Sequence, residues 1–136
     1  MILVDTGPLV ALLDIDDSNH SLCVRALAQL PPDDLLTTWP CLTEAMYLLG
    51  AVGGFRYQSK LWQLITNEEL FLHNLSDSDL KRMKTLMDKY RDTPMDFADA
   101  SMVSTAESLS LRKIFTLDSD FQIYRLSDKS AFEIVP

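Results

Sequence analysis

Six acidic side chains lie at or beside predicted boundaries between secondary-structure elements: Asp5, Glu44, Asp96, Asp99, Asp118 and Asp120. Two unpaired carboxylates about 4 Å apart repel by roughly 4 kcal/mol at an effective dielectric constant of 20. A cluster of four such groups therefore requires bound cations or bound protons. Mg²⁺ fits best, because it takes oxygen ligands and keeps waters that phosphate oxygens can replace, and Mn²⁺ can substitute. One or two such ions would activate water for phosphodiester hydrolysis.

The first stretch of the chain predicts a strand that ends in a carboxylate. Four apolar residues, Met1–Val4, precede Asp5, and Thr6-Gly7-Pro8 interrupts the run. A short apolar run bounded by turn residues is typical of a strand buried on both faces, and open α/β sheets bind ligands at the carboxyl ends of their strands. Asp5 or Thr6 could also cap the next helix, and the Thr6 hydroxyl could contact phosphate or a metal-bound water.

Strand and helix patterns alternate along the rest of the chain. Further strands are predicted at Leu35–Thr38, Leu70–Leu72, Ile114–Leu117 and Phe132–Val135, the last at an edge. Helices are predicted at Pro8–Leu13 and Phe55–Thr66, and four more are predicted to begin after Asn19, at Pro40, after Asp79 and at Pro94. In the helix after Asn19, Leu22 is predicted to face the core. A short helical turn is predicted at Phe121–Tyr124. This order predicts one domain over residues 1–136, an α/β/α sandwich with a mostly parallel sheet of four to five strands.

Each acid also has a purely structural explanation. Glu44 lies near a helix start, where the helix dipole favours negative charge. Thr93–Pro94 and Asp96 form a helix-start signal of a cap, a proline and an acid. Asp99 follows three residues later on the same helical face, and a structural role explains it less well, since its neighbours are apolar.

Asp118 and Asp120 close the fourth predicted strand. Asp118 could cap the short turn that follows, and Asp120 is typical of a turn residue. In a doubly wound sheet, strand ends and the helix starts that follow them lie along one edge. We therefore expect all six acids to converge there, although they are far apart in sequence.

The composition gives no independent sign of nucleic-acid binding. The chain has 136 residues, with 20 acids against 12 bases and a net charge of −8, whereas broad nucleic-acid binding usually shows a basic footprint. Acids collected around divalent cations would make that formal charge misleading. No apolar run is long enough to span a membrane. Cys23 and Cys41 fit buried thiols in a reducing compartment, so the sequence predicts a cytoplasmic protein.

Basic and histidine side chains provide weaker candidates. His20 could be a ligand, but a surface histidine is the simpler interpretation. The pairs Arg56 with Lys60 and Arg112 with Lys113 could contact RNA phosphates or simply face solvent. No Ser or Cys is paired with a His in a way that predicts a nucleophile triad.

Two other folds also gather acids around Mg²⁺ at strand ends, and the residues near Asp5 disfavour both. A phosphoacceptor receiver domain would place paired acids after the first strand and a lysine after the last core strand. A phosphatase of the haloacid dehalogenase type would have Asp-x-Asp at the end of the first strand, whereas here Gly7 occupies the position of the second acid after Asp5.

The ordered set of motifs resembles the PIN domain, and most closely the VapC-like toxin nucleases. The motifs are VDTGPLVALLD at Val4–Asp14, Glu44, MDFADASMVSTAE at Met95–Glu107 and FTLDSDF at Phe115–Phe121. The resemblance implies an Mg²⁺- or Mn²⁺-dependent endoribonuclease that cleaves RNA with a metal-activated water. It assigns the four main acids to Asp5, Glu44, Asp99 and Asp118. Asp96 and Asp120 stand where some members have additional acids, and Thr6 matches a hydroxyl residue that often follows the first acid.

The same resemblance implies two protein partners. Toxin members typically form homodimers and are held inactive by a small antitoxin that inserts into the groove. The motif TLDSDF departs from the asparagine-containing form common in the toxins, which bears on the toxin assignment more than on the nuclease one. The alternative function is a catalytically inactive PIN-like scaffold that binds RNA or protein.

Overall fold

The computed structural model describes residues 1–136 and contains a five-stranded, all-parallel sheet. The strands are β1 Ile2–Val4, β2 Leu35–Thr38, β3 Leu70–His73, β4 Lys113–Phe115 and β5 Glu133–Val135. Their order is β3-β2-β1-β4-β5, so β1 is central, with Ile2 beside Leu35 of β2 and Leu3 beside Ile114 of β4. This confirms the predicted α/β fold and places β5 at an edge.

Six helices cover the two faces of the sheet. They are α1 Thr6–Leu13, α2 His20–Gln29, α3 Trp39–Gly53, α4 Phe55–Thr66, α5 Asp77–Lys89 and α6 Phe97–Leu109. Alternate residues of β1 point to opposite faces. Ile2 and Val4 pack with α1–α4, and Leu3 packs with α5 and α6. The resulting three layers explain why the whole of β1 is apolar.

Four helix starts differ from the predicted ones, and one of them is that of α5, which begins at Asp77 with Ser76 as its cap rather than after Asp79. Helix α1 begins at Thr6 rather than Pro8, with Asp5 as its cap. Helix α3 begins at Trp39, capped by Thr38, rather than at Pro40. Thr38 both ends β2 and caps α3, so no loop residue lies between these two elements, and the cap Asp5 is the single residue between β1 and α1.

The start of α6 moves furthest from its predicted position. Asp96 is the cap, and Thr93–Pro94 lie in a turn before the helix. The backbone N–H groups of Thr93 and Met95 both donate to the carbonyl of Tyr90, and the Met95 side chain is buried. These contacts hold the segment in a turn, so the pattern of cap and proline at Thr93–Pro94 was misleading.

Two smaller predictions were wrong. Leu22 is exposed, and the buried positions of α2 are Cys23 and Ala26. Strand β4 ends at Phe115 rather than Leu117, because the Thr116 hydroxyl accepts a hydrogen bond from the Asp118 N–H and turns the chain. Both cysteines are free and buried. No helix combines the length and apolar character that a bilayer crossing needs.

A buried acid away from the predicted site ties β3, α5 and α6 together. The Asp79 carboxylate accepts hydrogen bonds from the Ser76 N–H at 2.9 Å and the Ser104 hydroxyl at 3.3 Å, contacts His73 Nε2 at 3.0 Å, and also accepts from Ser108. Burial alone would raise its pKa, but these hydrogen bonds outweigh burial and hold the pKa well below its usual range. Asp79 is therefore a structural acid.

Replacing Asp79 should destabilise the fold in a pH-dependent way. We expect Asp79→Ala to lower the free energy of unfolding by about 2 to 4 kcal/mol at pH 7, because four donors lose their partner. The folded-state pKa is depressed, so the contribution is present above about pH 4 and is lost as pH falls through the folded pKa. Urea unfolding should show that the difference in unfolding free energy between wild type and Asp79→Ala is smaller at pH 3 than at pH 7. The control is Asp77→Ala at an exposed position, which should lower the unfolding free energy by about 0.5 kcal/mol. A difference between wild type and Asp79→Ala that is larger at pH 3 than at pH 7 would contradict the structural role of Asp79.

Candidate active site

Asp5 is buried at the centre of the carboxyl edge of the sheet. Its Oδ1 accepts hydrogen bonds from the Thr6 N–H at 2.8 Å and from the Cys41 thiol at 3.6 Å, and its Oδ2 accepts from the Thr116 hydroxyl at 2.8 Å. Burial raises its pKa, these donors oppose that effect, and the charge of Asp118 raises the pKa further. A buried carboxylate held by three donors has a fixed orientation.

Glu44 lies beside Asp5 through a shared contact with Thr6. The Thr6 hydroxyl donates to Glu44 Oε2 at 3.1 Å, so the first residue of α1 positions a side chain of α3. Partial burial raises the pKa of Glu44, the Thr6 hydrogen bond lowers it, and the charges of Asp96 and Asp5 raise it further. Glu44 therefore faces both of these acids.

Asp96 and Asp99 form a reciprocal cap at the start of α6. The Asp99 N–H donates to Asp96 Oδ1 at 2.7 Å, and the Asp96 N–H donates to Asp99 Oδ2 at 3.3 Å. The Tyr124 hydroxyl also donates to Asp99 Oδ2, at 3.1 Å. Burial and the charges of Asp96 and Asp5, which outweigh the hydrogen bonds, raise the pKa of Asp99 to about 7.

Asp118 and Asp120 complete the edge after β4. Asp118 Oδ1 accepts from the Asp120 N–H at 2.9 Å and caps the short 3-10 helix Ser119–Gln122. Burial raises the pKa of Tyr124, and the charges of Asp99, Asp120 and Asp118 raise it further. The Tyr124 hydroxyl therefore lies close to Asp99 and within the field of Asp118 and Asp120.

None of the six acids has a cationic partner. Every ion pair of the chain involves other carboxylates. One oxygen each of Glu44, Asp96, Asp99 and Asp118, and both of Asp120, accept no hydrogen bond, and none of these oxygens is both buried and unsatisfied. They are therefore open to a ligand from solvent.

This donor set fits a hard divalent cation. No three His, Cys, Asp or Glu side chains are spaced to hold one ion by direct ligation, so a fully protein-ligated site of the Zn²⁺ type is absent. Mg²⁺ instead keeps several waters and uses one or two carboxylates. Free carboxylate oxygens with no competing cation are the type of ligand that Mg²⁺ takes.

Three side chains that hold the acids were not predicted. Thr116 bridges Asp5 and the Asp118 N–H, and a threonine two residues before an acid at a strand end is a local signal for such a turn. Cys41 and Tyr124 contact Asp5 and Asp99 only through the tertiary fold. No sequence pattern links either pair.

The weaker candidates have structural contacts instead. His20, the first residue of α2, places its Nδ1 atom 2.7 Å from the carbonyl oxygen of Ala11 in α1. Arg112 and Lys113 form ion pairs with Asp128 and Glu133. Lys60 lies over the Tyr57 ring, 4.4 Å from its centroid. None of them lies among the six acids.

Fold and site together define an α/β protein with an acidic cluster along the carboxyl edge of a parallel sheet. Residues 2–126 match the model of the PIN domain. The chain therefore belongs to the PIN domain family, as its motifs predicted.

Solved structures of toxin proteins share this fold. VapC20 of Mycobacterium tuberculosis, described as a sarcin-ricin loop cleaving toxin, is 20% identical over 100% of both chains with a TM-score of 0.85. A toxin–antitoxin complex from Klebsiella pneumoniae is 20% identical over 89% of this chain and 90% of that chain, with a TM-score of 0.62. VapBC2 of Rickettsia felis, bound to promoter DNA, is 16% identical over 100% of both chains, with a TM-score of 0.69. No curated protein matches the chain in sequence.

Neutralising Asp99 should stabilise the metal-free protein. Its folded-state pKa of about 7 lies above the unfolded value of about 3.9, so the ionised form costs stability that grows between about pH 4 and pH 7 and is constant above. We expect Asp99→Asn to raise the free energy of unfolding by about 1 to 2 kcal/mol at pH 8 in EDTA, with no gain at pH 4. Thermal unfolding followed by circular dichroism measures this.

The matched control is Asp92→Asn, because Asp92 is exposed in the turn before α6. It should leave the unfolding temperature unchanged at both pH values. If Asp99→Asn and Asp5→Asn each unfold the metal-free protein, the two carboxylates stabilise the fold, and the expected cost of ionising this acidic cluster is wrong.

Proposed function

We propose that this protein is an Mg²⁺- or Mn²⁺-dependent endoribonuclease. The observation that supports this most is the convergence of six acids, none with a cationic partner, on the carboxyl edge of a PIN domain. Asp5, Glu44, Asp99 and Asp118 would hold the ion or ions, with Asp96 and Asp120 as further ligands. Since no three of these side chains are spaced to bind one ion directly, some of them would act through the waters that Mg²⁺ keeps. When bound, the ion supplies activation of water and compensation of negative charge at phosphorus.

The residues of the chain itself provide orientation. Asp5 is fixed by donors from α1, α3 and the segment after β4. Thr6 aligns Glu44, and Tyr124 aligns Asp99. Since side chains held by such hydrogen bonds need little reorganisation, the acids are arranged before substrate arrives.

The protein is further proposed to be the toxin of a toxin–antitoxin pair that acts as a homodimer. The structures of similar fold include toxin–antitoxin complexes, which supports an antitoxin partner. Large apolar side chains at the α3–α4 hairpin support a second copy, since Tyr47, Val52 and Phe55 are 75%, 60% and 74% exposed. Exposed apolar patches of this kind mark protein interaction sites.

Ribonuclease activity is tested by incubating single-stranded RNA with the protein in Mg²⁺ or Mn²⁺. We expect cleavage that is abolished by EDTA and reduced at least about 100-fold by Asp99→Asn, because the charge that holds the ion is lost. Asp92→Asn is the control and should cleave at the wild-type rate. Cleavage that resists both EDTA and Asp99→Asn would exclude the proposal.

The alternative, an inactive scaffold, differs in its response to metal. Calorimetric titration with Mn²⁺ should give binding to the wild-type protein and weaker binding to Thr116→Val, which removes a donor from Asp5 and an acceptor from the Asp118 N–H. Val and Thr have nearly the same shape, and circular dichroism of Thr116→Val verifies that the fold is retained. Absence of any Mn²⁺ binding together with absence of cleavage would favour the scaffold.

The homodimer is tested by light scattering coupled to size-exclusion chromatography. We expect twice the chain mass for the wild type and the single-chain mass for Phe55→Asp, because a charge would be buried without a partner. Ile15→Asp, at an exposed position in the turn after α1, is the control and should remain dimeric. A monomeric wild type would contradict the proposal.

A further inference from the structure

An apolar cleft opens directly beside the acidic edge. It lies between the first two turns of α3, the start of α6 and Leu75, and its volume is about 470 Å³. Small-molecule sites have volumes of about 300 to 1,000 Å³ and a mostly apolar lining with a few polar groups. Apart from Thr43 and Glu44, the side chains that line this cleft are apolar. The cleft therefore has the size and lining of a small-ligand site.

Two aromatic rings in the cleft have no role in the core. Trp39 is 47% exposed and Phe97 is 52% exposed. The indole N–H of Trp39 donates to Asn74 Oδ1 at 2.9 Å, which fixes the orientation of the ring, so little rotamer entropy is lost when a ligand packs on it. The faces of aromatic rings carry negative partial charge and attract cations.

The charged groups at the cleft are carboxylates without cationic partners. Glu44 is the one charged residue that lines it, and Asp96 directly precedes Phe97 at the start of α6. Neither acid takes part in an ion pair. Asp96 also caps α6, so its carboxylate offsets the positive helix end at this wall. A ligand that complements the cleft is therefore cationic and partly apolar.

The hydrogen bonds already made at the cleft favour an ammonium over a guanidinium. The Thr43 hydroxyl donates to the Trp39 carbonyl at 2.9 Å, and Glu44 Oε2 accepts from the Thr6 hydroxyl. Oε1 is therefore the one oxygen of Glu44 without a donor. A guanidinium is bound best by a carboxylate that offers both oxygens, whereas an ammonium is a compact charge that pairs with a single oxygen.

We infer that this cleft binds a linear aliphatic polyamine. One ammonium group pairs with Glu44 Oε1, the methylene chain packs on Trp39 and Phe97, and a further ammonium group lies towards Asp96. This binding does not depend on the ribonuclease function. A second consequence does rest on that function: because Glu44 also belongs to the acidic cluster, a bound polyamine competes with the divalent ion.

Trp39 provides a direct reporter of polyamine binding. The chain has two tryptophans, so its nuclear magnetic resonance spectrum has two indole N–H signals, and the Trp62→Phe variant identifies that of Trp39. The metal-free protein is titrated with spermidine. We expect a saturable shift of the Trp39 signal and none of the Trp62 signal, with about tenfold weaker binding in Glu44→Gln and in Phe97→Leu. Asp92→Asn removes the same charge from an exposed turn and should leave the affinity unchanged.

A compact cation separates binding in the cleft from general attraction to an acidic protein. Hexaamminecobalt(III) has the same charge as protonated spermidine but no methylene chain, so its affinity should be equal in wild type and Phe97→Leu. The inference is overturned by an absent or unsaturable Trp39 shift, by an unchanged spermidine affinity in Glu44→Gln, or by equal effects of Phe97→Leu on both cations. A Trp39 signal that responds to an oligoarginine peptide and not to spermidine overturns it as well.

Competition with Mn²⁺ separates failure of this inference from failure of the proposed function. At a spermidine concentration about ten times its Kd, mass action weakens the apparent Mn²⁺ affinity about tenfold in wild type and about twofold in Phe97→Leu. Calorimetric titration measures both values. An Mn²⁺ affinity that spermidine leaves unchanged overturns the competition. Spermidine binding by a protein that binds no Mn²⁺ and cleaves nothing overturns the proposed function and supports the polyamine site.

Discussion

The buried carboxylate of Asp5 is the constraint on which the rest of this edge depends. Placing a charge at the end of the central strand is costly unless several donors surround it. Those donors come from three parts of the chain: the first N–H of α1, the Cys41 thiol of α3 and the Thr116 hydroxyl after β4. Satisfying Asp5 therefore fixes α1, α3 and β4 relative to β1, and the remaining acids follow from those elements.

Comparison with Asp79 shows how a structural acid differs from a candidate site acid. Both Asp79 and Asp99 are buried residues at the third position of a helix with a reciprocal cap. Asp79 has additional donors and a contact with His73, and its pKa is lowered. Asp99 faces Asp96 and Asp5, and its pKa is raised. An arrangement that opposes stability is expected at functional sites, where the ligand supplies the missing compensation.

The sequence predicted the layers of the fold and the edge at which the acids meet, because both follow from alternation of strands and helices. It placed the start of α6 wrongly, since Thr93–Pro94 and Asp96 each satisfy the local rules and only the burial of Met95 decides between them. The hydrogen-bond partners of the acids could not be predicted from local sequence patterns. Thr116 and Asp5 are 111 residues apart, and their contact exists only because β1 and β4 pair.

Capping and ligand binding are compatible roles for the same acids. Asp5, Asp96 and Asp118 each cap a helix through Oδ1, and the positive end of the helix partly compensates the charge. Asp96 and Asp118 keep Oδ2 free, and Oδ2 of Asp5 has one donor and a remaining lone pair. The structural explanation of each acid and the functional one were therefore never exclusive alternatives. Helix caps at the carboxyl edge of a parallel sheet allow acids to collect without cationic side chains, and this leaves the cluster open to a divalent ion.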